Sequence, residues 1–216
     1  MTSAALSLIF ARHGRTAWNQ AGLYQGRSDP PLAPDGRVDA EVLGGALRGA
    51  AISQIIASPL QRAAMSARVV ADRLGVTPVL TDPRLMEIAY GGWEGLTQAE
   101  VKQRWPDQLR QWKQAPGTMR FPGGETLAEA RARLLAFLGD LLPLARTTHR
   151  ERVEGPVLVV AHGGLIRLAI LEARRAPLAD FRRIDVEPGS LHRFVLGHDV
   201  GGARLSLKLM EILTCA

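Results

Sequence analysis

The chain has almost no cysteine: one in 216 residues, Cys215. A disulfide framework and a Cys-based metal site within one chain are both excluded on that count. Aromatic residues are scarce, at 5%, and are not interleaved with a basic stripe, so the stacking platforms of nucleic-acid binders find no counterpart. No apolar run is long enough to span a membrane. The N-terminal stretch over residues 4–11 is too short, no Lys or Arg precedes it, and it runs straight into Arg12-His13-Gly14, an odd place for a cleavage site. The expected address is the cytoplasm, with neither nucleic acid nor membrane as partner. There is no internal repeat, heptad series or low-complexity tract.

What is present is ordinary for a globular chain, with 46% apolar and 22% charged residues, and the length suits one domain over residues 1–216. A net charge of +6 favours anionic partners without choosing among them, and a solvated basic surface would produce the same excess. Residues 6–11, 52–57 and 156–161 are short, apolar and rich in branched side chains, which predicts buried strands. Helical spacing covers residues 60–74. Asp35 could cap a helix running to Leu47, and residues 125–144 form the longest helix candidate. Thr126 with Glu129, and Thr97 with Glu100, have the spacing of capping boxes. Late strands are expected over 190–196 and 203–213, and 147–155 reads as a charged surface loop. Alternating strands and helices predict an α/β sheet covered on both faces. The Gly-, Pro-, Gln- and Trp-rich stretch 90–124 reads as an excursion or lid over that core.

In open α/β sheets, ligands bind beyond the carboxyl ends of the strands. Arg12-His13-Gly14 follows the first predicted strand, Ser58 and Arg62 follow the second, and His162-Gly163-Gly164 follows residues 156–161 and opens a helix. Three separated segments thereby deliver two histidines and at least two arginines to one sheet edge. Each piece alone has a bland reading, as a structural histidine or a solvated arginine. Their convergence points to phosphate chemistry. Arginine forks neutralise phosphate oxygens bidentately and stay charged. A neutral imidazole can attack phosphorus and split one displacement into two, and neighbouring arginines oppose its protonation. The N–H groups of Gly163 and Gly164, at a helix start, add donors for an anion. The leaving oxygen needs a proton, for which Glu87 and Glu94 are rival carboxyl groups that spacing cannot separate.

An ordered series of motifs covers nearly the whole chain. It comprises Arg12-His13-Gly14, Thr16 with Asn19, Gln25-Gly26, Asp29-Pro30-Pro31-Leu32 and Ser58-Pro59-Leu60 with Arg62-Ala63. It continues through Glu87 with Gly91-Gly92-Trp93-Glu94-Gly95, then Pro122-Gly123-Gly124-Glu125 and Ala161-His162-Gly163-Gly164. The series resembles the histidine phosphatase superfamily, in the branch that holds cofactor-dependent phosphoglycerate mutase and its phosphatase relatives. The resemblance implies a three-layer α/β/α sandwich around a mixed, mostly parallel six-stranded sheet. It implies that His13 is the residue phosphorylated, that Arg12, Arg62 and His162 bind the transferred group, and that Glu87 rather than Glu94 is the proton donor. Asn19 would contact the phosphate and Gln25-Gly26 the pocket mouth, with Thr16 and Gly163 completing the substrate-binding set.

No metal and no other cofactor is expected, and the loops carry too few Asp and Glu for a dinuclear metal hydrolase. Arg15 stands where many members carry Glu or Gln, either favouring a more anionic substrate or pointing to solvent; Ser66 replaces a common Thr. The substrate implied is a small phosphate ester, hydrolysed through a phosphohistidine. The alternatives are mutase-type transfer and a silent phosphate-binding module. Mutase relatives carry a longer, more basic segment between the Glu and the second His, whereas residues 103–117 here offer only Arg104, Arg110 and Lys113. Trp93, Trp105 and Trp112 are read as core packing before substrate stacking. The oligomeric state stays open, a homodimer being one option.

Overall fold

The computed structural model describes residues 5–145, 155–199 and 205–213. In chain order these form β1 (Leu6–Arg12), the single-turn α1 (Ala17–Gln20), α2 (Pro34–Ala46), β2 (Gln54–Ala57), α3 (Gln61–Leu74) and β3 (Val79–Thr81). Then come α4 (Gln98–Arg104), α5 (Pro106–Gln114), α6 (Leu127–Leu141), β4 (Val157–Ala161), α7 (Gly163–Arg174), β5 (Leu191–His198) and β6 (Leu205–Leu213). The strands form one six-stranded sheet in the order β3-β2-β4-β1-β5-β6. The first four in that order run parallel, and β5 is antiparallel to both β1 and β6.

Every residue of β4 is buried, as a central parallel strand covered on both faces requires. Successive side chains sort to opposite faces. Leu8, Phe10, Val157 and Val159 join α6, α7 and the 90–124 region in one apolar cluster. Ile9, Ala11, Leu158 and Val160 join α2 and α3 in the other. The result is a three-layer α/β/α sandwich. Phe10 meets Phe194 edge to face at 5.4 Å, a geometry worth about 1 kcal/mol beyond its area.

Both capping boxes form: Thr97 with Glu100 opens α4, and Thr126 with Glu129 opens α6. Asp35 does not cap α2. That helix starts on Ala33, with Pro34 as first helical residue and Asp35 in the first turn. Proline supplies the helical φ and lacks the N–H that a cap would satisfy. The helix expected over 125–144 is shorter, because its last residues tighten into a 3₁₀ turn, Leu142–Ala145. The three-residue β3 was not legible, being short and half exposed. The loop expected over 147–155 lies, but for Gly155, outside the described residues, as does Cys215. The 90–124 region is built into the core, with Trp93 and Phe121 fully buried and Trp112 nearly so. No helix among the described residues is long and apolar enough to cross a membrane.

Candidate active site

The carboxyl ends of β1, β2 and β4 deliver His13, Ser58 and His162 to one edge of the sheet. His13 is 3% exposed. One ring nitrogen, Nδ1, lies 2.7 Å from the Gly14 carbonyl, which can only accept, so the proton sits there and Nε2 keeps its lone pair. Arg62, in the first turn of α3, donates from Nε to that Nε2 at 3.2 Å. The Arg62 guanidinium is held from behind by the carbonyls of Gly26 and Ser28 at 2.7 and 2.8 Å. Gly26 adopts φ +54°, and a Cβ there would collide with Glu94, so this turn requires glycine.

His162 is fully buried beside His13, the ring centroids 5.0 Å apart. Its Nε2 lies 2.8 Å from the Ser58 hydroxyl, which also accepts the Leu60 N–H. The remaining His162 nitrogen, Nδ1, is buried and has no partner among the described residues. Arg12 donates to the Val186 carbonyl at 2.6 Å, while its buried Nε is likewise unpartnered.

Glu87 is 8% exposed. One carboxyl oxygen accepts the Ile88 N–H at 2.9 Å and the other the Gly164 N–H at 3.0 Å, at the start of α7. A Cβ on Gly164 would collide with that carboxyl group. Arg133 fixes the preceding backbone through the carbonyls of Arg84, Met86 and Glu87, and pairs with Glu125 at 2.6 Å. Glu94 serves differently: its carboxylate accepts the backbone N–H groups of Arg27, Ser28, Tyr90 and Gly91 and so clamps two loops together.

Of the site residues expected from sequence, Arg12, His13, Asn19, Gln25, Gly26, Arg62, Glu87 and Gly163 line one cavity of about 210 Å³. His162 stands behind this wall. Thr16 is fully buried and does not reach it either; its hydroxyl caps α1 and bonds Asn19 and Gln25, both at 3.1 Å. The Thr16 N–H also donates to the Asn19 amide oxygen at 3.0 Å, so Thr16 orients a residue that lines the cavity. Leu23, Tyr24, Tyr90 and Arg167 also line the cavity and were missed. For Arg167 a signal existed: it lies four residues after Gly163 on the same helix, hence on the same face.

The family profile of the histidine phosphatase superfamily (branch 1) matches residues 8–207. The chain belongs to this superfamily. It is 33% identical to phosphoserine phosphatase 1 of Hydrogenobacter thermophilus, over 73% of this chain and 71% of the relative. It is 30% identical to a 2,3-bisphosphoglycerate-dependent phosphoglycerate mutase of Cytophaga hutchinsonii, over 85% and 84%. The fold is similar to that of a mycobacterial glucosyl-3-phosphoglycerate phosphatase, with a TM-score of 0.80 and 26% identity over 95% of this chain and 97% of the other.

The electrostatics of this histidine phosphatase follow from burial. Removal from water pushes His13 well below the ordinary imidazole value, and the Arg62 and Arg12 charges push the same way. His162 is lowered for the same first reason, then by Arg62, His13 and Arg12. Burial also lowers Arg12 and Arg62, but guanidinium starts so high that both stay charged. Arg15 lies outside the cavity and is bound bidentately by Asp39 at 2.7 and 2.9 Å. Its extra charge is thereby answered within the protein. Ser66 donates to the Arg62 carbonyl at 2.8 Å and accepts the Gly14 N–H at 3.1 Å, so the shorter hydroxyl residue still ties the two arms of the site together.

A third buried histidine, His192, bonds Ser190 at 2.9 Å and is lowered by burial to about 4. For all three, the unfolded chain takes up protons near pH 6.5 that the folded chain refuses. Stability therefore rises with pH across this window and is lost as pH falls below about 6.5. His192 alone accounts for on the order of 3 kcal/mol between pH 6.5 and 4. Thermal melts of the wild type should drop steeply over this range, and less steeply for His192→Gln; parallel curves for the two would contradict this assignment.

Proposed function

We propose that the chain is a metal-independent phosphomonoester hydrolase that acts on small phosphorylated metabolites through a phosphohistidine at His13. One observation carries this reading. Arg12 Nε, buried and without a partner among the described residues, stands at a cavity that His13, Arg62, the Asn19 and Gln25 amides and Gly163 also line. A buried donor without a partner is costly, and the oxygens of a phosphoryl group would satisfy it. The donors are fixed before the substrate arrives, so they stabilise charge without reorganising.

In the first displacement, His13 Nε2 attacks phosphorus, the P–N bond forms and the P–O ester bond breaks. The leaving oxygen takes the proton of the Glu87 carboxyl group. In the second, water gives a proton to the Glu87 carboxylate and attacks phosphorus; the P–N bond breaks, freeing inorganic phosphate and His13. Hydrolysis is favoured over mutase-type transfer because Arg104, Arg110 and Lys113 do not line the cavity. Arg110 and Lys113 border a separate groove on α5. The names of relatives, phosphoserine phosphatase and glucosyl-3-phosphoglycerate phosphatase, support esters of this size. A reducing, cytoplasmic setting fits a chain with a single cysteine.

Among the described residues, no three His, Cys, Asp or Glu side chains are grouped to hold a metal ion. With a phosphoglycerate as substrate and excess chelator present, inorganic phosphate should be released at an undiminished rate. A positional isomer as the main product would make the enzyme a mutase. Loss of activity to the chelator, restored by added metal, would make it a metal-dependent hydrolase.

A further inference from the structure

Arg133 stands half-way along α6, and neither it nor its partner Glu125 lines the catalytic cavity. Its guanidinium is nevertheless turned entirely toward the segment that carries Glu87. One Nη donates to the Arg84 and Met86 carbonyls, both at 2.6 Å. The other donates to the Glu87 carbonyl at 3.1 Å and to one Glu125 oxygen at 2.6 Å, while Nε reaches the second Glu125 oxygen at 3.4 Å. These bonds occupy all of the N–H donors that a guanidinium has. Arg133 therefore has nothing left to offer a ligand.

Glu125 grips the same segment from its other end. Its carboxylate accepts the Ala89 N–H at 3.2 Å, and its own N–H donates to the Ala89 carbonyl at 3.0 Å. A Cβ on Gly124 would overlap that carbonyl, so the turn over 122–125 presses directly on the chain beside Glu87. Backbone on both sides of the proton donor is thus fixed by one ion pair, whose side chains are 15% and 12% exposed. At that burial water screens the pair little and cannot readily replace its bonds. The pair also reaches the other arm of the site. Glu125 accepts from Arg27 at 3.1 Å, and Arg27 lies between Gly26 and Ser28, whose carbonyls hold Arg62.

We propose that Arg133 and Glu125 are positioning residues for the proton transfer, setting where the Glu87 carboxyl group stands in the cavity without touching the substrate. The proposal rests on the role given to Glu87 in the hydrolytic reading above. The bonds of Glu87 to the Ile88 and Gly164 N–H groups hold its carboxyl group only while the backbone of 84–89 keeps its place. A displacement of about an ångström in a reacting group costs roughly a hundredfold. That is comparable with the whole contribution of a general acid, about a hundred- to ten-thousandfold.

The test compares phenyl phosphate with p-nitrophenyl phosphate by kcat/KM, which reports the barrier to ester cleavage. p-Nitrophenolate departs readily without a proton, whereas phenolate, the stronger base with a pKa of about 10, needs one. Glu87→Gln should lower the phenyl-to-nitrophenyl ratio about a hundredfold. Arg133→Gln should lower it at least about tenfold. Arg133→Lys keeps the charge but cannot serve three carbonyls and Glu125 together, so its ratio should lie between. Glu125→Gln should shift the ratio the same way and takes the place of Arg133→Gln if that protein does not fold. On top of Glu87→Gln, either change should lower the ratio no further, because both act through the same carboxyl group. A purely structural role would reduce the folded fraction and slow both esters alike. An unchanged ratio in the folded variant therefore overturns the proposal, as does a further fall on top of Glu87→Gln. A Glu87→Gln ratio equal to that of wild type would remove Glu87 as proton donor, and the positioning role with it. No phosphate release from either ester by wild type would remove the hydrolytic reading itself.

Discussion

Replacing His13 by alanine is expected to abolish turnover of an activated aryl phosphate. The loss should be on the order of a millionfold, the scale seen when a nucleophile is taken from a working catalytic unit. The reason is the absence of a substitute. His162 does not line the cavity, and Glu87 is already assigned the proton transfers of both steps. Without Nε2, water would have to attack an anionic phosphate directly, and the arginines alone cannot restore the lost two-step route. The fold should survive, since the only backbone bond of the His13 ring is to the adjacent Gly14, and the change costs mainly a cavity beside Arg62. The rates are to be read alongside thermal melts, with His13→Asn as a second variant that fills more of the space. Near-native rates in a folded His13→Ala protein would mean that another group carries the phosphoryl chemistry.

The next largest effect is expected at Arg62, whose guanidinium is wholly buried and bonds His13, Gly26 and Ser28 at once. Arg62→Ala removes a fixed charge from the developing transition state, a loss of about a hundred- to a thousandfold in kcat. It also orphans the buried Gly26 carbonyl, costing on the order of 1–3 kcal/mol, and removes the bond to the part-buried Ser28 carbonyl, so the melting temperature should fall as well. Arg62→Lys separates the two effects. Lysine restores the charge but cannot reach His13, Gly26 and Ser28 in one plane, so it should recover stability better than rate. Full recovery of kcat by lysine would show that charge alone matters and that the fork does not.

Much of this site was legible because the strand ends are legible. β1, β2 and β4 are short, mainly apolar segments, so the residues following them were expected at one sheet edge, whatever lay between. What the chain hides is how many of its charges are already spent. Arg15 and Arg167 look alike in sequence, yet Arg15 pairs with the Asp39 carboxylate while Arg167 bonds the Ile184 backbone carbonyl and lines the cavity. Glu87 and Glu94 were equivalent by spacing and separated only by the family resemblance; in the fold, four backbone N–H groups claim Glu94. Thr16 was expected at the substrate and instead orients two residues that line the cavity. Its contacts cross from α1 to Gln25, a pairing that no local pattern announces. The tryptophans of 90–124 read correctly as packing, but the region's place in the core depends on contacts with α6 and α7 that are distant in sequence.

The most direct test of His13 as the phosphoryl acceptor is to trap the intermediate. Wild type mixed rapidly with an excess of an aryl phosphate, quenched in alkali and digested should carry an acid-labile, base-stable phosphoryl group on the peptide containing His13. The label should disappear as phosphate is released, and it should be absent from His13→Ala. Phosphate release without any label on that peptide, or label on a different residue, would contradict the account.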